Sequence, residues 1–488
     1  MKSKVLSRIL KSVTAIALAT AMTFSMPISA VAAGIQGVDV SKYQGAINWA
    51  AVAQSGMSYA FIKAGSTKSG IDPYFAANVT GAQAAGIRTG VYIYSYATTV
   101  EAAAQEAALV LQWIEPYNVN FPVAFDIEDG VQKGLDANTC TAIANTFCSV
   151  ISAAGYTPIV YTYANFYKSH FTSALLYDKW IAQYSDHNDI AGWAIWQYSS
   201  GGAVAGISGR VDMNIASKDF AAYIPQVGLL DLGGGNVFFF NNFRRQFGWV
   251  DINGVKYHTD PATGIVTTGW FADETGTYYF LPGAANAVVG LNTIDKGIYY
   301  FNEAAQLQVG WVTLGENTFL FNPAENGKLY TGWWNDTDGV RYLDTTDGHM
   351  LKGLAIVGDA VYYFNEAGLM QVGIVQVNGA TYYFGADGKM QTGLQTIGDG
   401  VYYFGDDGTM QTGIIQAKDG VYYAGKDGKL VAGQPIKIGN DQYLFGTDGK
   451  LVVNQVVQVG DMLYQTNETG IIVATAPAPT ATPAAPAK

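Results

Sequence analysis

Residues 121–129 read FPVAFDIED. An apolar run, Val123-Ala124-Phe125, gives way at once to three acids spaced D-x-E-D. Side chains in an extended strand alternate between faces, so Asp126 and Glu128 project to the same side at the carboxyl end of a buried strand. Two carboxylates held that close repel each other, and at least one pKa rises. That is how a protein makes one acid and one base at a single pH. No Lys or Arg lies within the motif to neutralise the pair.

Working outward, residues 34–224 alternate short apolar runs with helical stretches. The runs are GIQGVDV, SYAFIKA, RTGVYIYSYA, FPVAFDI, TPIVYTYA, KWIAQY, WAIWQY and GRVDMNI. Helical periodicity falls at 72–86, 101–113, 137–155 and near Asn165, and after about residue 175 the strands crowd together with little room for helices. Alternating strand and helix predicts a parallel sheet. Eight strands predict an α/β fold, an irregular β/α barrel that is TIM-like but lacks its last helices. Catalytic groups of parallel barrels lie at the carboxyl ends of strands. Asp39 closes the first run, Asp126 and Glu128 the fourth, and Asp212 lies in the last, which would neighbour the first on closure. Tyr92 and Tyr94 at period two, Tyr161, and the Trp196-Gln197 pair join them. Acids ringed by Tyr and Trp suit a carbohydrate cleft, because sugar rings offer apolar faces and hydroxyl edges.

The flanks bound the setting. Lys2, Lys4, Arg8 and Lys11 precede a short apolar segment at 13–24, and Ala30-Val31-Ala32-Ala33 offers a small-residue cleavage site, so residues 1–33 are expected to be a secretory signal. About a dozen apolar residues are too few to span a bilayer, and no other window is long and apolar enough, so no membrane span is expected. A net charge of −12 with no basic stripe beyond the N-terminus excludes a nucleic-acid partner. Cys140 and Cys148 share a helical stretch. Eight residues of helix rise about 12 Å, beyond the roughly 7 Å that a disulfide tolerates, so the two should stay unpaired. His170, His187, His258 and His349 lack metal-ligand spacing, and neither a metal nor a cofactor is expected.

Residues 225–247 mix a Gly triplet, an aromatic triplet and two arginines and are expected to be a linker. From 248 to 473 a Gly followed by Trp, Leu, Ile or Gln recurs every 20 to 22 residues, from Gly248 and Gly269 through Gly413 and Gly433. Each unit carries an aromatic patch such as Tyr362-Tyr363-Phe364, then a turn, often Asp-Gly, then Met or Leu. Strand, Asp-Gly turn and strand read as a β-hairpin. A lone hairpin is unstable, and stacking buries the aromatic faces, so an all-β solenoid is expected. Residues 474–488 are Ala/Pro/Thr-rich and expected to form an extended, disordered tail.

GVDVSKYQGAINW, DPYFAANVTGAQAAG followed by TGVYIYSYA, FPVAFDIED, PIVYTY, WIAQY, IWQYSS and GISGRVDMN together resemble, in one collinear order over about 35–222, the lysozymes of glycoside hydrolase family 25. The resemblance implies a secreted enzyme that cleaves the β-1,4 bond between N-acetylmuramic acid and N-acetylglucosamine in peptidoglycan. Carried over by motif, Glu128 is the general acid, Asp126 its partner, and Asp39 and Asp212 complete an acidic cluster. Tyr92, Tyr161, Trp196 and Gln197 fall on substrate-cleft positions. KAGSTKSG at 63–70 departs from the pattern, because many relatives carry an acid after the second strand. Asp126 could assist attack by the substrate's own acetamido oxygen, giving retention, or activate water, giving inversion. The repeats resemble cell-wall-binding repeats of choline-binding proteins, and equally those of glucan-binding proteins and clostridial toxins. Their ligand is thus a wall polymer, either teichoic-acid choline or carbohydrate. Trp249, Trp270, Trp311 and Trp333 keep the Gly-Trp step that could wall a cation site. The readings set against this one are an adhesin with an inactive barrel and a glycosidase acting on another N-acetylated glycan.

Overall fold

The computed structural model describes residues 34–479; the expected signal segment and the last nine residues lie outside the described residues. Strands β1 (Ile35–Val40), β2 (Tyr59–Ser66), β3 (Gly70–Ile71), β4 (Arg88–Tyr94), β5 (Val123–Asp126), β6 (Pro158–Tyr163), β7 (Lys179–Ala182), β8 (Ile195–Gly202) and β9 (Val211–Ala216) share one sheet. All eight expected runs form strands. The sheet closes because β1 pairs with both β2 and β9, while the two-residue β3 only folds back on β2. Helices α1 (Trp49–Gln54), α2 (Phe75–Ala84), α3 (Val100–Ile114), α4 (Ala137–Ala153), α5 (Ala164–His170) and α6 (Phe220–Tyr223) complete it, and none intervenes between β7 and β9.

One feature corrects the expectation of a purely parallel sheet. β9 runs antiparallel to both β8 and β1. β7 and β8 remain parallel across the loop at 183–194, whereas the shorter connection at 203–210 returns the chain beside β8 as an antiparallel neighbour. Asp212 therefore sits at the amino end of its strand, not the carboxyl end, yet at the same mouth of the barrel as the other acids.

Alternation sorts the core into two layers. Val38, Ile62, Val91, Ile93, Val123 and Phe125 face outward against the helices. Tyr59, Phe61, Ile159, Trp180 and Ile195 face inward, joined from below by Phe121 and Phe220. Phe61 stacks on Trp180 at 4.2 Å between ring centroids and Tyr59 on Phe121 at 4.5 Å. The barrel is thus plugged with rings, and only its upper end is polar. Cys140 and Cys148 are buried, unpaired, on α4.

The segment expected to be a linker is itself structured. Val227–Asp231, Val237–Asn241 and Arg244–Arg245 form a three-stranded sheet. It docks on the barrel: the Arg245 amide donates to the Gly155 carbonyl at 2.9 Å, and the Arg244 guanidinium lies 5.1 Å from the Tyr156 ring.

Hairpins then follow in series from Gly248–Ile252 with Val255–Thr259 to Gln434–Ile438 with Asp441–Phe445, one of them (Gly310–Leu314 with Asn317–Asn322) gaining a third strand at Lys328–Leu329. The chain divides into two compact units within this series. One takes in the barrel through Asn292 with Phe301–Leu307; the other takes in Thr293–Tyr300 and the chain from Gln308 onward. The hairpin turn is not the Asp-Gly step. It is the two-residue loop before the aromatic strand, such as Asn378-Gly379 at φ 50° and 83°. Both residues are left-handed, the geometry that matches the twist of the flanking strands. The Asp-Gly turn instead links hairpins. After Asp387-Gly388, Met390 bridges Phe384 of its own hairpin, and its amide donates to Val361 of the preceding one at 2.8 Å. Met370, Met410, Leu430 and Leu451 repeat the step. The Phe that pairs with each unit's first Gly (Phe364, Phe384, Phe404) is fully buried. The last strand, Ile472–Pro477, pairs with Met462–Thr466, so ordered pairing extends four residues into the segment read as tail.

Candidate active site

Asp39 and Asp212 are cross-strand partners in the β1–β9 register. Asp39 Oδ2 accepts 2.8 Å hydrogen bonds from Gln197 Nε2 and Asn214 Nδ2. Burial first, and the neighbouring Asp212 charge second, push the Asp39 carboxyl up to about 8 against the pull of the two amides. Asp212 is also raised by burial, and a hydrogen bond with Asp39 opposes the shift. Asp39 is therefore the member of the pair raised furthest toward the protonated form by its surroundings.

The amides around Asp39 are themselves oriented. Tyr161 and Tyr184 donate to Gln197 Oε1 at 3.1 and 2.8 Å. Trp180 Nε1 donates to Asn214 Oδ1 at 2.8 Å. Each amide oxygen is occupied, so each amide N–H points at Asp39. Burial holds the Tyr161 phenol well above its ordinary range, which keeps it a neutral donor.

Asp126 ends β5 with only 5% of its surface exposed, and its Oδ1 is buried without a hydrogen-bond partner. Burial first, then the Glu128 charge, raise its pKa well above the carboxylate range, and Lys63 opposes them. Glu128, two residues on and half-buried, is raised by burial and again lowered by Lys63. Lys63 is inward on β2, its Nζ 5.8 Å from the Tyr92 ring centroid and 4.8 Å from that of Tyr94. No cation lies within the motif itself, and the one that faces the acid pair comes from β2. Lys63 is two residues past inward-facing Phe61, so alternation within SYAFIKA carried the signal. Tyr94 donates to Asp129 at 3.0 Å, and Asp129 caps a short turn by accepting from Val131. Behind the site the buried Glu106 accepts from Ser95, Tyr96 and Thr67, tying the loops after β2 and β4.

These acids, with Lys63, Tyr92, Tyr94, Tyr161, Trp180 and Gln197, line a cavity of about 160 Å³ at the barrel mouth. A wider cleft of about 580 Å³ adjoins it, lined by Tyr163, Asn165, Gln183, Tyr184, Ser185 and Asp189. Glu128 and Tyr161 belong to both. The structure thus gathers Asp39, Asp126, Glu128, Asp212, Tyr92, Tyr94, Tyr161 and Gln197. It does not bring Trp196 with them. Trp196 is on the opposite face of β8 from Gln197, its Nε1 donates to the Gln183 carbonyl at 2.8 Å, and its ring packs near Trp193 and Tyr198. Lys63, Tyr184, Asn214 and Trp180 are the members that sequence reasoning missed. Asn214 is two residues past Asp212, the same period-two signal.

In the hairpins, Trp249, Trp270, Trp311 and Trp333 are each 39–42% exposed at the same strand position. Leu354, Ile374, Leu394 and Ile414 succeed them there, also exposed. His349 approaches Asp344 and Asp347, but its Nδ1 is already bonded to Asp347.

Residues 38–207 match the model of the Glycosyl hydrolases family 25, and residues 375–390 and 392–410 match that of a cell wall binding repeat. The chain is 32% identical over 191 residues to the uncharacterized protein YegX of Escherichia coli K12, covering 37% of this chain and 69% of that one. It is 32% identical over 198 residues to Lysozyme M1 of Streptomyces globisporus, covering 37% and 67%. The solved structure of the modular autolysin LytC from Streptococcus pneumoniae is 26% identical, with a TM-score of 0.35 over 37% of this chain and 46% of that one.

Proposed function

The chain belongs to glycosyl hydrolase family 25, and on that premise we propose that Glu128 and Asp126 are the acid and its partner in cleaving peptidoglycan. The protein is a peptidoglycan hydrolase, a lysozyme with cell-wall-binding repeats. The bond cut is the β-1,4 link from N-acetylmuramic acid to N-acetylglucosamine. The observation that carries the assignment of roles is the unequal burial of two adjacent raised carboxyls, one of them with a bare oxygen.

Burial falls hardest on Asp126, which favours its protonated form before substrate binds. An N-acetyl sugar brings an amide N–H, and donation of that N–H to the Asp126 carboxylate, which lines the cavity, favours the anion. The proton is then held by Glu128, which opens on both the cavity and the cleft. Glu128 gives it to the glycosidic oxygen as the bond to the anomeric carbon breaks. The oriented acetamido oxygen attacks the same carbon, and water later opens that intermediate, so the product retains configuration. The hydrogen bond from Asp39 favours the anionic form of Asp212, which adds negative charge near the developing oxocarbenium ion. Tyr92, Tyr94, Tyr161 and Gln197 contact the sugar.

The protein acts outside the membrane, where the repeats hold it on a wall polymer through many weak contacts that add by avidity. The experiment is lysis of purified walls by Glu128→Gln, with mass spectrometry of reduced fragments from the parent enzyme. Loss of lysis with wall binding kept, and muramic acid at the new ends, is the expected outcome. Near-normal lysis by Glu128→Gln overturns the assignment of the acid, and glucosamine at the new ends overturns the bond.

A further inference from the structure

Four hairpins present Gly-Trp, but their surroundings differ by position. The residue directly opposite each Trp is His258 for Trp249, Tyr279 for Trp270, Tyr342 for Trp333 and Leu320 for Trp311. The second neighbour comes from the following hairpin. Tyr278 meets Trp249 at 4.6 Å between ring centroids, and Tyr362 meets Trp333 at 5.0 Å. Tyr278 and Tyr362 hold the same place in their hairpins, opposite the second residue after the Gly. At Trp311 that place is taken by Arg341, opposite Trp334.

The Arg341 guanidinium carbon lies 5.2 Å from the Trp311 ring centroid, within cation–π range. The side chain has its own counter-ions. Nη1 donates to both oxygens of Asp336 at 3.0 and 2.8 Å, and Nη2 lies 3.6 Å from Asp338. Trp334 Nε1 fixes Asp336 from the other side at 3.0 Å. Arg341 is 9% exposed, whereas Trp311 is 41% exposed. A guanidinium is planar and weakly hydrated, which suits it to an aromatic face. An incoming ammonium would have to displace it, leaving Asp336 without its partner at a partly buried site.

We propose that Arg341 is a resident cation that fills the Trp311 face and closes this unit to external quaternary ammonium ligands. Two walls of the aromatic site have become Leu320 and Arg341, and the second supplies the charge a ligand would bring. The inference rests on the reading that Gly-Trp units of this kind are ligand sites.

The test titrates the full chain with choline chloride, counting sites by calorimetry, and separately sediments it with purified walls. Trp311→Ala is expected to leave the site count of the parent protein unchanged. Leu320→Tyr/Arg341→Tyr, which installs both residues that the Trp333 site carries, is expected to add one site, lost again when Trp311→Ala is added. A drop in site count on Trp311→Ala alone overturns the proposal. So does an unchanged count in Leu320→Tyr/Arg341→Tyr with a parent-like melting curve; if that variant misfolds, the Trp311→Ala comparison still decides. Failure to sediment with walls sinks the reading of the repeats as wall ligands and leaves the choline counts to judge Arg341.

Discussion

Asp39 and Asp212 face each other across the antiparallel seam where β9 closes the barrel on β1. The first is pushed up to about 8 by burial and by the second. An acid whose folded pKa exceeds its unfolded value binds its proton more tightly in the native state. Stability therefore falls as pH rises from about 4 through about 8, and the cost is complete above that. An asparagine in this place would mimic the protonated acid, its oxygen still accepting from Gln197 and Asn214 and its amide facing Asp212. Asp39→Asn should thus raise stability at pH 9 by at least about 1 kcal/mol and flatten its pH dependence. Lytic activity should fall if the proton must move. Urea melts at pH 5 and pH 9 check it; an equal effect at both would show that the pair is not linked to folding.

Lys63 opposes the rise of both Asp126 and Glu128. Lys63→Met keeps much of the stem volume and removes the charge. Both carboxyls should titrate higher, so both limbs of the pH–rate profile should move upward by up to about one unit. The shift should shrink in high salt only slightly, because the groups are enclosed. A pH–rate profile on soluble wall fragments reads this directly, and unmoved limbs would remove Lys63 from the electrostatics of the site.

Gln197 and Trp196 are sequence neighbours with opposite fates. Gln197→Leu strands the Tyr161 and Tyr184 hydroxyls and removes one of two donors to Asp39. Loss of about 10²-fold in kcat/KM is expected, the scale for removing one preorganised polar group. Trp196→Phe touches neither cavity, so kcat/KM should stay near that of the parent and the cost should show in Tm. The reverse ranking would mean that the outer face of β8 meets substrate.

What was legible in the sequence follows from period and spacing. Eight apolar runs gave eight strands, and D-x-E gave Asp126 and Glu128 one face, because alternation is local. Trp196 was misjudged through the same rule, since adjacent residues in a strand cannot share a face. Lys63 was hidden because its partners lie on β4 and β5, far along the chain. The direction of β9 depended on the length of a return connection, which no motif reports. The hairpin turns differ from the reading because Asp-Gly recurs from unit to unit while the true turn varies between Gly358-Asp359 and Asn378-Gly379, yet only the latter sit between two paired strands.

Gly155 ends α4 at φ 86°, and a Cβ built there would collide with the Arg245 carbonyl oxygen. Both facts act at the point where residues 244–245 dock, since Arg245 also donates through Nη2 to Ser152 at 2.9 Å. Gly155→Ala must therefore adopt a left-handed conformation and push the Arg245 backbone away, at a cost on the order of 1–3 kcal/mol. Gly155 lies before the amino end of β6, whereas Tyr161 contributes to the site near the carboxyl end of that strand. Hydrolysis of soluble fragments should persist below the melting temperature, while Tm falls and proteolysis within 225–247 accelerates. Limited proteolysis with timed activity measurements separates the two effects. An unchanged cleavage rate in the folded variant would mean that the three-stranded segment holds to the barrel without this contact.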